Sequence, residues 1–475
     1  MQMLRRTKIV ATLGPASDSK ETIRQMIVSG INVVRLNFSH GIASDHIKRA
    51  ETVREIAKSL GVPIGILCDL QGPKIRIGKF AGGSVVLQEG GTFLLDANCT
   101  LGDEMRVGLD YKSLPNEVEV DTILLLDDGR IELKVLLVEE HCIHCKVVVG
   151  GILSNNKGIN KKGGGLAAKA LTSKDENDIK TAVALAADFI AISFPRSAAD
   201  IELARKLVHE AGGQASIVAK IERAEAIIAL EEIINASDAV MVARGDLGVE
   251  VGDARVPGLQ KQIIRLARLH HKPVITATQM MESMINSPIP TRAEVSDVAN
   301  AVLDGTDAVM LSAETASGQF PIQTIQAVNR TILDAEKEYF SYIQATLPED
   351  SFIKTDESIA MAAIYTAQHL KVKAIATLTQ SGKTAQWLSC ADNAAPIYAL
   401  SPDQKARQKL TLCRGVYPYP IEHIDKNRDE ILREMQDVLL QHQAVSIGDT
   451  VILTFGEPIG CLGGTNTFKI VSIHA

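Results

Sequence analysis

Long apolar runs are missing from this 475-residue chain: none approaches the roughly 18 residues needed to span a bilayer, and a strand-like run follows directly on Met1–Arg6. A cytosolic protein without a signal peptide is the expectation. Basic excess is missing too. Lys and Arg number 50 against 57 Asp and Glu, a net charge of −7, so bulk charge draws neither nucleic acid nor an anionic membrane. Any phosphate must be met by local basic residues. Cysteines are few and odd in number, seven scattered over positions 68, 99, 142, 145, 390, 413 and 461, which favours reduced thiols over a disulfide framework. The CxxC at Cys142–Cys145, preceded by His141, has no second pair to complete a zinc site, and the alternation of HCIHCKVVV fits a single strand. No G-x-x-x-x-G-K-[ST] run occurs, so a nucleotide would not be held by a P-loop. No Gly-rich switch-point turn follows the first strand, which counts against a doubly wound sheet.

What is present is alternation. Strand-like runs KIVATL (8–13), INVVRLNF (31–38) and IGILCDL (64–70) are separated by two helices. One opens near Ser17-Asp18-Ser19 and stops at Gly30; the other runs from Ser44-Asp45 to Gly61. Between Gly72 and Gly165 the helical period vanishes. SVVLQ, TFLLDA, TILLLDD and IELKVLLVEE, with Asp128-Gly129 as a hairpin signal, make an inserted all-β domain, and NNKGINKKGGG closes it as a candidate hinge. Alternation resumes with a capping box of Ser173 and Glu176 on a helix through Ala187. FIAISF (189–194), SIVAKI (216–221), AVMVA (239–243), PVITAT (273–278) and AVMLSA (308–313) then bring the strand count to eight. Eight strands each followed by a helix close a (β/α)8 TIM barrel. After a helix from Ile322 to about Ala345, the loop Pro348–Ser351 marks a boundary. KAIATL (373–378), PIYAL (396–400) and TVILTF (450–455) then alternate with helices, a C-terminal α/β domain. The expected division is 1–71 and 167–346 for the barrel, 72–166 for the insertion and 352–475 for the last domain.

Chemistry in such barrels sits at the C-terminal strand ends. Polar residues gather there: Thr12, Arg35, Asn37, Ser39, His40, Asp69, Ser193, Arg244, Thr278, Ser312 and Glu314. Lys220 and Glu222 are two apart and share one face of a strand, and Asp246 follows the next strand after an Arg244-Gly245 turn. A charge left unpaired in so apolar a setting is strongly unfavourable, so these groups must face each other, a metal or a ligand. Two carboxylates and an ammonium make a hard-cation site suited to phosphate. In the last domain, LTQSGKTA leaves a strand and opens a helix. Thr379, Ser381, Gly382, Lys383 and Thr384, with the free N–H groups of the helix start, form a candidate phosphate cradle. Met280, Met281, Met284 and Trp387 read as packing residues.

The runs VVRLNFSHG, DLQGPKIR, AKIERAEA, MVARGDLGVE, ITATQMMESM, PTRAEVSDVANAVLDGTDAVMLSAET and TNT together resemble the pyruvate kinase family over essentially the whole chain. The resemblance implies a cytoplasmic homotetramer with a catalytic barrel, an inserted lid and an effector domain. It would move phosphate from phosphoenolpyruvate to ADP with Mg2+ or Mn2+, giving pyruvate and ATP, under a phosphorylated allosteric effector. It also implies roles. Lys220 would meet the transferring phosphoryl group, with Arg35 and Arg76 as phosphate contacts. Glu222 and Asp246 would hold the metal, Gly245 and Asp246 the substrate carboxylate side, and Thr278 the region of the methylene carbon. Asn37, His40, Arg76 and Lys157 would face the nucleotide. Asn37, Ser39, Asp69 and the backbone of Leu70 would form the monovalent-cation pocket. The chain departs from potassium-dependent members in two positions, carrying Lys74 in place of Glu and Leu70 in place of Thr. Activity without K+ is therefore expected, with the Lys74 ammonium as replacement charge. The run AQWLSCADNAAP after Lys383-Thr384 lacks the arginines common there, which leaves a sugar phosphate and a nucleoside monophosphate both open. Two rival functions remain: a metal-dependent lyase or aldolase acting on pyruvate-like enolates, and a catalytically silent binding protein. Arg76 and Lys157 on the insertion count against the first, and intact Lys220, Glu222, Asp246 and Thr278 against the second.

Overall fold

In the computed structural model, which describes residues 4–342, 354–391, 393–422, 427–459 and 464–474, eight parallel strands close into a barrel in chain order. They are Lys8–Thr12, Val33–Asn37, Gly65–Asp69, Phe189–Ile192, Ser216–Ile221, Ala239–Ala243, Val274–Ala277 and Ala308–Leu311. All eight expected runs are strands. They read as unbroken apolar runs because both faces are covered. One face fills the barrel interior with Val10, Val33, Leu67, Val218, Met241 and Ile275. The other packs on the surrounding helices through Ile9, Val34, Ile66, Ile190, Ile217 and Val240. Leu412, from the C-terminal domain, is fully buried in the interior layer and plugs the barrel. Register brings neighbouring C-terminal ends level, with Thr12 opposite Arg35 and Asn37 opposite Asp69.

Helix boundaries show where local signals misled. The helix Ser173–Ala184 is capped by Thr172 and Asp175, one residue earlier than the expected Ser173 and Glu176. Asp175 wins because its fully buried carboxylate also accepts the Gly72 N–H at 3.0 Å, a long-range bond that residue 176 does not make. That helix stops before the expected Ala187, with Ala186 in the left-handed region at φ +53°. The expected Arg244-Gly245 turn is the start of a helix, Arg244–Val251, so Asp246 stands in its first turn. Gly61 ends the helix Ala43–Leu60 in the left-handed conformation, as the sequence implies.

Between the third and fourth barrel strands lies the insertion. Its larger sheet has six strands in the order Ile159–Lys161, Ile123–Leu126, Ile131–Val138, Cys142–Val149, Thr92–Asp96 and Arg106–Gly108. Cys142 and Cys145 both belong to one strand, three apart and on opposite faces, and Cys145 is buried. No cluster of three metal-ligating side chains occurs among the described residues. The six described cysteines are free thiols, and Cys461 lies outside the described residues, as does the loop Pro348–Ser351. The C-terminal domain is a five-stranded sheet ordered Val416–Pro420, Ile397–Ser401, Ala374–Leu378, Thr450–Gly456 and Thr465–Ser472, the last strand antiparallel. No helix among the described residues is long and apolar enough to cross a membrane. Met280, Met281 and Met284 are fully buried in the barrel core.

Candidate active site

The fifth strand carries Lys220 to the barrel rim, where the side chain meets the ends of the third and fourth strands and of its own. Its Nζ lies 3.2 Å from Asp69 Oδ1, 3.0 Å from Glu222 Oε1 and 2.7 Å from Ser193 Oγ. The Ser193 hydroxyl donates in turn to the Leu70 carbonyl at 2.7 Å, so the lysine stands on a hydroxyl that is itself fixed. Gly72 makes this possible: it sits at φ +65°, and a Cβ there would lie 2.7 Å from the Ser193 Cβ. Asp69 uses its other oxygen to accept Arg35 Nε at 2.7 Å, and Arg35 Nη1 reaches Thr12 Oγ1 at 3.0 Å. Burial works against the Lys220 charge, but Asp69 and Glu222 outweigh it and hold its pKa above the ordinary value. Burial likewise opposes the Asp69 charge, and Lys220 with Arg35 overcome it and keep that carboxyl below its usual range. Glu222 is different: burial pushes it up to about 7 against the pull of Lys220, and the Asp246 and Asp69 carboxylates push the same way. Its Oε2 accepts the Phe194 N–H at 2.8 Å, which fixes its orientation.

Asp246 faces Lys74, Nζ to Oδ1 3.2 Å, and Lys74 also lies 3.9 Å from Asp128 of the insertion. Among the described residues those are the ion pairs of Lys74. Asp69 is neutralised by Arg35 and Lys220 instead. Thr278 follows the seventh strand at φ +68°, and Gln279 after it has φ +56°. A β-branched residue there is strained. Its hydroxyl donates to the Ala277 carbonyl at 2.6 Å and accepts the Gly245 N–H at 3.0 Å. Arg244 holds this turn from behind. Its guanidinium donates to the carbonyls of Ala277 (3.1 Å) and Thr278 (2.5 Å) and grips Asp297 with two bonds of 2.7 and 2.8 Å. Asp297, on the helix Arg292–Leu303, escaped the sequence reading: nothing local marks it off from a solvated helical carboxylate.

Gly245 has an ordinary backbone, and a Cβ built on it would find Thr278 no closer than 3.8 Å. The fold itself therefore does not require glycine at that position. Any such requirement must come from what approaches the open side.

The remaining candidates lie further out. Asn37 Oδ1 accepts the Ser39 N–H at 3.1 Å, so the two form a small turn beside Asp69. His40 is exposed, and its carbonyl accepts a bond from the His46 ring at 2.9 Å. Arg76 Nη1 donates to Asn156 O at 3.0 Å, and Lys157 pairs with Asp127 at 2.6 Å, all within the insertion. In the last domain the Thr379 hydroxyl accepts the Gly382 N–H (3.0 Å), and Thr384 bonds Thr465 (2.8 Å). Ser381 and Lys383 stay exposed at the start of the helix Lys383–Cys390. Trp387 packs against the core of this domain, as expected.

Two carboxylates, Glu222 and Asp246, suit a divalent ion that takes one or two protein oxygens and fills its other positions with substrate oxygens and water, as Mg2+ does. Burial, and after it the neighbouring Asp246 and Asp69 carboxylates, raise the Glu222 pKa, and Lys220 at 3.0 Å and Lys74 at 3.2 Å already face the two carboxylates. They do not suit zinc, which would want a third or fourth nitrogen or sulfur ligand.

Comparison with known proteins agrees. The family model described as pyruvate kinase, barrel domain, matches residues 4–325, and that described as pyruvate kinase, alpha/beta domain, matches residues 357–471. A relative named pyruvate kinase II from Salmonella typhimurium is 52% identical, over 99% of this chain and 99% of its own. A pyruvate kinase from Haemophilus influenzae is also 52% identical, over 95% of this chain and 96% of its own. Among solved structures, a pyruvate kinase from Cryptosporidium parvum superposes with a TM-score of 0.91 at 34% identity, covering 98% of this chain and 96% of that one. The chain, with its closed barrel, inserted β-domain and C-terminal α/β domain, belongs to the pyruvate kinase family of phosphotransferases.

Proposed function

We propose that this pyruvate kinase carries phosphate from phosphoenolpyruvate to ADP in glycolysis, in the cytoplasm and as a homotetramer, with a phosphorylated effector acting on the C-terminal domain. The observation that supports the chemistry best is the buried Lys220 ammonium, held charged by Asp69 and Glu222 on a fixed hydroxyl. Phosphoryl transfer depends almost wholly on positioning and on charge aimed at the transferring oxygens. Lys220 provides that charge, and Arg35, clamped by Asp69 and Thr12, contributes a fork beside it. Mg2+ (or Mn2+) held by Glu222 and Asp246 would neutralise phosphate charge and orient the substrate. The Gly245 N–H, released from the Thr278 hydroxyl it bonds at 3.0 Å, would meet the substrate carboxylate, and Asp246 would contact the substrate through the metal. The Thr278 hydroxyl is too weak an acid to protonate an enolate alone, so it positions a water that relays the proton.

The units 1–71 with 167–346, 72–166 and 352–475 serve as barrel, lid and effector domain. Arg76 and Lys157 on the lid, with Asn37 and His40 on the rim, meet the nucleotide, and Arg76 also contacts phosphate. Ser381 and Lys383, with the backbone of Gly382 and the hydroxyls of Thr379 and Thr384, receive the effector phosphate. The pocket of Asn37, Ser39, Asp69 and Leu70 works without K+, because Asp69 already faces two fixed cations, Arg35 and Lys220, with the Lys74 ammonium as a replacement charge held at Asp246. Following pyruvate formation from phosphoenolpyruvate, ADP and Mg2+ tests the whole proposal. Lys220→Met should abolish turnover with the fold intact, and Glu222→Gln should raise the Mg2+ requirement. Absence of nucleotide-dependent pyruvate refutes it.

A further inference from the structure

A cavity of about 690 Å3 opens between the barrel and the C-terminal domain, far from the rim. Its volume lies in the range of roughly 300–1,000 Å3 typical of small-molecule sites. Tyr398, Tyr417, Tyr419 and His442 form one wall, with ring centroids 5.6 Å (Tyr398 to Tyr417), 5.9 Å (Tyr398 to Tyr419) and 3.9 Å (Tyr419 to His442) apart. Val372, Ala395, Pro396 and Ala444 add aliphatic surface. Tyr398 is only 2% exposed, its ring held against those of Tyr417 and Tyr419. A phenol on a cavity wall offers a donor to whatever occupies the cavity.

Charge around the cavity is one-sided. Glu336 is the carboxylate of the lining, and its oxygens are taken by the N–H groups of Arg6 (2.9 Å) and Thr7 (2.6 Å) and by the Thr7 hydroxyl (2.8 Å). The exposed lining charges are the ammonium groups of Lys371 and Lys373.

We propose that this cavity is a second small-molecule site, taking a planar aromatic ring that bears one phosphate or carboxylate. The ring lies among the aromatic and aliphatic walls, and the anion accepts from the Tyr398 hydroxyl and pairs with Lys371 and Lys373. Burial pushes the Tyr398 phenol up to about 12, so it remains a donor at neutral pH. The site is separate from the cradle at Thr379–Thr384. Lys373 precedes the strand Ala374–Leu378 and Thr379 follows it, which puts the two places about 20 Å apart at strand rise. The cavity also touches the barrel, since the Tyr417 hydroxyl donates to the Arg5 carbonyl at 3.0 Å.

The test titrates 1-naphthyl phosphate, 1-naphthol and inorganic phosphate into the full chain by calorimetry, with phosphoenolpyruvate and Mg2+ present to fill the rim. Naphthyl phosphate should bind saturably, one per subunit, and at least about tenfold more tightly than either fragment. Tyr398→Phe, which keeps the ring and the packing, should weaken it about tenfold. The double change Lys371→Ala with Lys373→Ala should weaken it further, and Lys383→Ala at the other cradle should leave it unchanged. Equal affinity for naphthol, unchanged affinity in Tyr398→Phe, absence of saturable binding, or loss in Lys383→Ala would each overturn the assignment.

Discussion

Asp297→Asn probes the device that keeps Thr278 in place. The substitution removes the charge that receives both ends of the Arg244 fork, while leaving the shape of the side chain almost unchanged. Arg244 is 11% exposed and Asp297 35%, so the pair is neither fully buried nor a surface pair. Breaking a buried pair by removing one partner destabilises by about 3–5 kcal/mol, and partial exposure reduces that to roughly 2–3 here. The left-handed conformation of Thr278 and Gln279 opposes this by about 1–2 kcal/mol per residue. The two terms are close in size. Loosening the fork should therefore let the turn relax, and a shift of about 2 kcal/mol lowers the competent population by up to roughly thirtyfold. The assay is pyruvate formation at saturating substrates, with Tm measured on the same sample. We expect kcat to fall about ten- to thirtyfold with the fold retained, and Arg244→Lys, which keeps the charge but loses the fork, to behave similarly. A variant that loses stability yet keeps kcat within twofold would show that the clamp does not act on Thr278.

Three further outcomes follow from the same geometry. Gly245→Ala should leave Tm within about a degree, because the nearest atom to the new Cβ is at 3.8 Å, but should raise the KM for phosphoenolpyruvate; an unchanged KM would place the substrate elsewhere. In buffer free of sodium and potassium the enzyme should be active, and a gain of about a hundredfold on adding potassium, some 2.7 kcal/mol of barrier, would refute independence from it. Lys8 is fully buried, donates to the Val416 carbonyl at 2.6 Å and is pushed by burial from 10.5 down to about 7. Between those values the unfolded chain binds one proton more than the native one, so this residue makes stability rise as pH climbs from 7 towards 10. Lys8→Met should flatten that dependence in urea melts at pH 7, 8 and 9; parallel curves for the two proteins would contradict the shift.

The eight barrel strands were legible because a strand buried on both faces must be apolar along its length, and each such run was bounded by caps, glycines or charge. The Ser173 cap was misplaced by one residue because the Asp175 carboxylate is claimed by the Gly72 N–H across the fold, a partner no local pattern reveals. Asp297 stayed invisible for the same reason.

From the chain alone came the barrel, the insertion, and the fact that Lys220, Glu222 and Asp246 reach one rim, since strand period and connection order dictate which ends meet. Only the tertiary structure decided who pairs with whom. It gave Asp69 to Arg35 and Lys220 and turned Lys74 to Asp246. It also set Thr278 in a strained turn gripped by Arg244. Ion pairing and strain depend on distances of a few ångströms between residues far apart in sequence, and those distances exist only once the strands have closed.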